Sequence, residues 1–247
     1  YNNMIRDIKV VNNWDYVDGH MKYNLETIGT TKNNNEPRTL LNQVNFADAC
    51  DFNNVYCYVL PRIKQTTTNN PRANYLTPAQ KSTILSGLRD KKTLGAEIII
   101  ADPVFVAVDM LTYDPNKEDL TPDLASVSEL KIVRSNQSSK SFESIKTKAY
   151  KIITDYFDSF EFGGTLDVSL LQNKIFEIGD IAAIYTRRTD TGQETQGIGL
   201  AVWNPIYPND DIISTGSGLP MPYYKHPYLY QPTKFGNKIT VVSESSL

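Results

Sequence analysis

Two predicted strands meet at a proline in the stretch AEIIIADPVFVAVDML, which covers residues 96–111. The three consecutive isoleucines between Ala96 and Ala101 favour a strand that is buried on both faces. Pro103 has no backbone N–H, so it interrupts the ladder after this strand. From Val104 to Leu111, β-branched and aromatic residues alternate with smaller ones, which favours a second strand. The stretch therefore predicts two strands joined at a proline corner.

Helices are predicted on both sides of this pair of strands. Thr77-Pro78-Ala79-Gln80 supplies an N-cap hydroxyl, a proline at the first helical position and a capping-box glutamine. The strongest helical pattern runs from about Ser141 to Phe162, and Gly163-Gly164 is predicted to end it. Its apolar stripe contains Phe142, Ile145, Ala149, Ile152, Ile153, Tyr156, Phe157 and Phe160.

Weaker patterns predict several shorter elements. A helix is expected from Arg38, with Leu40, Leu41, Val44 and Ala47 as its apolar face, and another is capped by Asp167 and buries Leu170, Leu171 and Ile175. Further strands are expected at Ile8 to Val11, Val55 to Val59, Leu130 to Val133, Ile181 to Thr186 and Lys238 to Val242, with Gln196 to Trp203 returning as the partner of Ile181 to Thr186. The mixture predicts an α+β fold with a mixed α/β core.

The chain divides into three segments by composition. Residues 1–36 form a polar arm or connector, residues 37–190 form the core, and residues 191–247 form a hairpin followed by a Tyr/Pro-rich extension. Residues 204–232 contain six prolines and five tyrosines with little periodicity, so we expect irregular structure there. Gln65 to Asn74 and Asp114 to Ser128 are expected to be surface loops.

Charge and length exclude several classes of protein. The 247 residues carry 25 Lys plus Arg against 28 Asp plus Glu, a formal net charge of −3 without a dense basic run, so no nucleic-acid partner is expected. The longest apolar stretch is broken by Asp102 and Asp109 and is too short to span a bilayer, so no membrane partner is expected. Because the chain starts at Tyr1 without a leader pattern, we expect it to be a piece of a longer protein.

No pattern in the sequence points to catalytic chemistry or to a cofactor. His20, His226, Cys50 and Cys57 lack the spacing of a zinc site, so no metal is expected. His226 is interpreted as a loop residue and Cys57 as a small apolar residue packed in its strand. Glycines in Gly197-Ile198-Gly199 are expected to allow a close approach between strands rather than to bind a dinucleotide.

Tyrosines near the C-terminal end are the candidate interface residues. Tyr223, Tyr224, Tyr228 and Tyr230 lie among prolines that keep a segment out of the middle of a sheet. Tyrosine provides a large contact area with few rotatable bonds and is common at interfaces. The segment is therefore predicted to dock a partner. Packing on its own domain is the alternative.

The middle of the chain carries a characteristic order of motifs. A helix with a Leu-Thr-Pro start precedes a strand, an Asp-Pro corner and a Val-x-Val-x-Val strand, followed by a long helix, a Gly-Gly stop, a short helix and a strand. These are Leu76-Thr77-Pro78, Glu97 to Ala101, Asp102-Pro103, Val104 to Val108, Phe142 to Phe160, Gly163-Gly164, Val168 to Ile178 and Ile181 to Tyr185. From Arg38 to Arg187 this order resembles the baseplate J-like family of contractile phage tails and related injection machines.

The resemblance implies a structural role without enzymatic activity. Members of that family pair and join into the inner ring of the baseplate, holding its wedges around the central hub. It implies that this chain forms a homodimer and a ring, contacts other wedge and hub-proximal tail proteins, and resides in the virion after assembly in the host cytoplasm. The alternatives are a receptor- or glycan-binding tail module that uses the tyrosines as stacking platforms, and a hydrolase that uses a pair of carboxylates.

Overall fold

The structure, a computed structural model, describes residues 5–12, 15–16, 54–62, 75–89, 96–110, 128–204, 207–215 and 218–246. The elements in chain order are β1 (Ile5–Asn12), β2 (Asn54–Pro61), α1 (Pro78–Leu88), β3 (Glu97–Ala101), β4 (Val104–Met110), β5 (Ser128–Arg134), α2 (Phe142–Asp158), β6 (Thr165–Leu166), α3 (Val168–Phe176), β7 (Ile181–Arg188), β8 (Glu194–Gln196), β9 (Gly199–Asn204), β10 (Tyr207–Thr215), β11 (Leu219–Pro220), β12 (Lys225–Leu229), α4 (Pro232–Asn237) and β13 (Ile239–Ser243). The α+β prediction is confirmed.

Several predicted features lie outside the described residues. They are the helix from Arg38, Cys50, His20, and the loops at 65–74 and 114–127. Within the described part of the chain, no helix combines the length and apolar character that crossing a membrane requires.

The proline corner is confirmed, and it moves the chain from one sheet to another. β3 is an edge of a three-stranded sheet with the order β1-β2-β3, in which β2 pairs antiparallel with β1 and parallel with β3. β4 belongs to a second sheet with the order β10-β9-β4-β12. Asp102 and Pro103 connect the two strands, and the Asp102 carboxylate lies 2.6 Å from Lys81 Nζ on α1.

β4 is the central strand of the fold because both of its faces are buried. Val106, Val108 and Met110 point into the main core with α2, while Phe105 and Ala107 pack on the opposite side with Leu60 of β2. The alternation read from the sequence therefore separates two apolar layers, and neither layer faces solvent.

A third sheet has the order β13-β5-β7-β8, and α2 packs against it and the second sheet. β5 pairs antiparallel with β7 and parallel with β13. The strands predicted at Leu130 to Val133, Ile181 to Thr186 and Lys238 to Val242 are confirmed within one residue or two of their ends. The main core lies between these strands and the helices.

Both predicted helix caps are confirmed. The Thr77 hydroxyl accepts a hydrogen bond from the Gln80 N–H at 3.3 Å, and Gln80 Oε1 accepts one from the Thr77 N–H at 2.8 Å. At the start of α3, Asp167 Oδ1 accepts a hydrogen bond from the Leu170 N–H at 2.9 Å. These side chains satisfy backbone donors that have no partner inside a helix.

α2 is confirmed, but it is shorter than predicted and its buried stripe is narrower. The helix ends at Asp158, before the two glycines, and Gly163 lies in a later turn at φ +73°. Phe142 is 42% exposed because it stands at the first helical position, beyond the edge of the core. Ile152 is half-buried, whereas Ile153 and Phe157 are fully buried. In α3, Leu170 was predicted to be buried and is 45% exposed, while Leu171 and Ile175 are buried.

The strand predicted at Gln196 to Trp203 is wrong as a single element. β8 pairs with β7, but β9 pairs with β4 and β10, so the chain crosses between two sheets at Gly197 and Ile198. Gly197 has φ +92°, and a Cβ there would lie 2.9 Å from Gln172 Oε1. The close approach predicted for these glycines therefore exists. Gly197 lies against the Gln172 side chain of α3, and its N–H donates to the Ile184 carbonyl of β7 at 2.8 Å.

The prediction of an irregular C-terminal extension is also wrong for the described residues. β12 runs parallel to β4 with His226 beside Phe105, and β13 runs parallel to β5. Pro227 is tolerated because β12 is an edge strand, where one side needs no donor. Residues 218–246 therefore complete the second and third sheets instead of covering them.

Candidate interaction surface

The four candidate tyrosines flank or occupy β12, and the structure divides them into two classes. Tyr224 and Tyr228 are 3% and 4% exposed, so the prediction that they form a surface is wrong. Tyr228 is buried on β12 with Phe105, and Tyr224, in the turn before β12, is buried with Tyr56 and Tyr58. Tyr223 and Tyr230 are half-buried, and for these two residues an interface role stays a prediction.

Tyr223 and Tyr224 belong to a group of rings that we call the tyrosine cluster, formed by Tyr16, Tyr56, Tyr58, Tyr223 and Tyr224. The rings of Tyr16 and Tyr56 are stacked with centroids 3.6 Å apart, and the Tyr58 and Tyr223 rings meet edge to face at 6.0 Å. Burial, together with the neighbouring phenols, raises the pKa of the Tyr58 hydroxyl above its usual range. The Tyr58 hydroxyl therefore stays uncharged. The tyrosine cluster joins the N-terminal residues to the segment before β12.

Tyr228 and Tyr230 lie in a separate aromatic layer beyond the second sheet. The Tyr228 ring meets Phe105 edge to face at 6.2 Å, and Tyr75 stacks on the other side of Phe105 at 5.4 Å. The Tyr75 hydroxyl donates a hydrogen bond to the Pro103 carbonyl at 2.6 Å, which ties this layer to the proline corner. Tyr230 packs partly against the same layer.

His226 is a buried strand residue, so its interpretation as a loop residue is wrong. It is 1% exposed on β12, and the rings of Phe105, Phe160 and Phe162 surround it at 6.0, 5.7 and 6.0 Å. Its Nε2 lies 3.0 Å from the Phe160 carbonyl oxygen, so the neutral tautomer with a proton on Nε2 donates there. Burial lowers the pKa of His226 to about 4, and nearby Arg6 acts in the same direction.

Because the pKa of His226 is lowered in the folded chain, we expect the stability of the chain to depend on pH. In the unfolded chain its pKa is about 6.5, so between about pH 6.5 and pH 4 the unfolded state binds a proton that the folded state does not. Above pH 6.5 the imidazole is neutral in both states and does not lower the free energy of unfolding. As the pH drops from 6.5 to about 4, the free energy of unfolding falls by about 3 kcal/mol in total. Urea unfolding across this range, compared with His226→Gln, should show a steeper loss in the wild type. Equal slopes would contradict the assignment.

Arg6 and Asp7 of β1 hold the C-terminal end of α2, a contact that sequence reasoning missed. The Arg6 guanidinium donates hydrogen bonds to the carbonyls of Phe157, at 3.2 Å, and Phe160. Asp7 Oδ2 accepts one from the Phe162 N–H at 2.9 Å. A cation at the carbonyl end of a helix is favourable, so β1 is joined to α2 by charge as well as to β2 by its ladder.

In the described part of the chain, the buried carboxylate of Asp109 lies in an ion pair. Asp109 is 5% exposed, and it accepts a hydrogen bond from Lys238 Nζ at 2.6 Å. Burial raises the pKa of Asp109, and Lys238 opposes this shift. At the surface, a hydrogen bond from Lys140 lowers the pKa of Asp180. Each of these acids already has a structural partner.

The described residues contain no group of three or more His, Cys, Asp or Glu side chains that could hold a metal ion. Cys57 is half-buried and packs beside Val59 and Ile100, as predicted for a small apolar residue. Burial raises the pKa of its thiol, which keeps it protonated.

The chain matches no family model, and no curated protein is similar to it in sequence.

Proposed function

We propose that the chain is a structural assembly protein of a contractile-tail baseplate, a wedge or inner-ring component that oligomerises around the central hub. The observation that carries the proposal is the order of elements: α1, β3, the Asp-Pro corner, β4, α2, α3 and β7 follow one another as in the baseplate J-like family. The string from Asp102 to Val108 further resembles the C-terminal part of the large baseplate wedge protein of T4-like phages. On this proposal the chain is not an enzyme and resides in the virion.

The packing supports a role as a rigid block. Segments far apart in sequence pair in every sheet. β2 pairs with β1 and with β3, β12 pairs with β4, and β13 pairs with β5. Arg6 and Asp7 add contacts between β1 and both the last turn of α2 and the residues that follow it, across more than 150 residues. A part that transmits force between wedges needs such long-range ties, because a load on one segment is then shared by the others.

Apolar groups left exposed on this block support contact with other chains. Ile8 and Val10 lie on one face of β1 and are 47% and 57% exposed. Tyr223 and Tyr230 present partly exposed rings at the two ends of β12. Glycan recognition through the candidate tyrosines is less favoured, because Tyr224 and Tyr228 are buried and offer no ring face to a sugar.

The test uses the double variant Tyr223→Ser, Tyr230→Ser. Both rings are half-buried, so the variant should remain folded by circular dichroism yet self-associate at least about tenfold more weakly in sedimentation, the effect of losing about 1.4 kcal/mol at an interface. The matched control is Tyr185→Ser, a half-buried tyrosine on β7. Unchanged association of a folded double variant would contradict an interface at β12.

A further inference from the structure

A groove runs between α2 and α3, on the side of the molecule away from the β strands that these helices cover. The helices are antiparallel, as two contacts show. The Tyr156 hydroxyl, near the end of α2, donates a hydrogen bond to the Asp167 carbonyl at the start of α3. Lys140, just before α2, donates one to the carbonyl of Ile178, just after α3. The groove encloses about 630 Å³. This volume lies within the range of about 300–1,000 Å³ found for binding sites. It is lined by Lys148, Lys151, Ile152, Asp155, Tyr156, Ser159, Lys174, Glu177 and Ile178.

The floor of the groove is apolar. Ile152 and Ile178 are half-buried and pack against the main core from outside, and Tyr156 is 7% exposed. Leu170, one helical turn before Lys174 on α3, is 45% exposed and extends the apolar surface along the same helix face. Water therefore covers a strip of apolar side chains between two polar helix faces.

The rims carry a small excess of positive charge. Lys151 is neutralised by Asp155, whose Oδ2 lies 2.6 Å from its Nζ. Lys174 is half-buried, with its ammonium 5.6 Å from the centroid of the Tyr156 ring, and it has no carboxylate partner among the described residues. Lys148 stands on the opposite rim and likewise has none there. Three lysines against Asp155 and Glu177 leave the groove positive on a chain whose net charge is −3.

We propose that this groove binds an amphipathic helix of a partner protein, with an apolar stripe on the floor and acidic side chains against Lys148 and Lys174. A helix fits because α2 and α3 satisfy their own backbone groups and offer no strand edge, so the occupant must satisfy its backbone internally as well. The 12 residues from Lys148 to Ser159 span about 17 Å, which accommodates about three helical turns. The inference deepens the proposed function and rests on it for the premise that the partners are proteins.

Fluorescence anisotropy with a labelled model peptide tests the groove directly. The probe is a peptide of about 15 residues with leucines at helical spacing and glutamates on both flanks, long enough to form a helix on binding. A matched peptide with lysines in place of the glutamates is the control ligand. We expect the acidic peptide to bind the wild-type chain at least about tenfold more tightly than the basic one.

Protein variants locate the binding. Lys148→Glu, Lys174→Glu together should weaken binding of the acidic peptide at least about tenfold, because both rims then repel it. Lys146→Glu is the matched control, since Lys146 is on α2 but does not line the groove. Equal binding of both peptides, no binding, or equal loss with the control variant would overturn the proposal. Loss of self-association in the Lys148→Glu, Lys174→Glu variant would also overturn it, since the occupant of the groove would then be a second copy of this chain. If the wild-type chain self-associates but does not bind the acidic peptide, the proposed function stands and only the proposal of a peptide-binding groove is contradicted.

Discussion

Replacing Phe157 with aspartate is expected to abolish the cooperative thermal unfolding of the chain. Phe157 is 0% exposed on α2, and its ring meets Tyr156 edge to face at 5.5 Å inside the main core. An unpaired carboxylate there loses the packing of the ring and its own hydration, at a cost of several kcal/mol. The total stability of an ordinary domain is about 5–15 kcal/mol. Circular dichroism during heating and urea titration measures the loss.

Phe142→Asp is the matched control, because it makes the same change on the same helix at a ring that is 42% exposed. The Phe142 ring lies 4.4 Å from the Arg134 guanidinium, and an aspartate there gains both that cation and the positive end of the helix dipole. Its stability should stay within about 1 kcal/mol of the wild type. A Phe157→Asp variant that melts like this control would show that α2 is not the centre of the core.

Lys238→Met is expected to destabilise the chain by about 3 kcal/mol or more at pH 7. Lys238 Nζ lies 2.6 Å from Asp109, and the two side chains are 17% and 7% exposed. Removing the ammonium leaves the Asp109 carboxylate buried without its counter-charge. Protonated Asp109 carries no charge, so the stability lost in Lys238→Met should be smaller at pH 4 than at pH 7. Urea unfolding at both pH values measures the difference.

The double variant Asp109→Asn, Lys238→Met separates the buried charge from the rest of the effect. Removing both charges should recover part of the stability lost in Lys238→Met, because no unpaired charge then remains between β4 and the start of β13. A double variant less stable than the single one, or a Lys238→Met variant as stable as the wild type, would show that the pair does not act as described.

Local signals in the sequence predicted local structure well. Thr77 with Gln80, and Asp167 with Leu170, are caps formed by residues three apart, so their pattern is visible in any short window. The proline corner at Pro103 is equally local. The end of α2 was missed because it stops at Asp158 without a glycine, and Arg6, 151 residues away from Phe157, binds one of its terminal carbonyls.

Contacts between distant segments could not be predicted in the same way. Residues 204–232 were interpreted as irregular because they show little periodicity, and the strand β12 has no signature in a short window. Its prolines were expected to keep it out of the middle of a sheet, and this is confirmed, because β12 is an edge strand that needs donors on one side only. The burial of Tyr224, Tyr228 and His226 follows from that pairing and has no periodic signature of its own. The groove between α2 and α3 was also missed, because Ile152 was assigned to the buried stripe and its half-exposed position depends on where α3 packs.

Light scattering on the purified chain across a concentration series measures whether the chain assembles with itself. An assembly protein that pairs and joins into a ring should show a molar mass that rises with concentration to that of at least two chains, since symmetric pairing is the commonest form of oligomer. The Tyr223→Ser, Tyr230→Ser variant should remain closer to the mass of one chain at the same concentrations. A wild-type mass that stays at one chain up to the highest concentration would contradict the account.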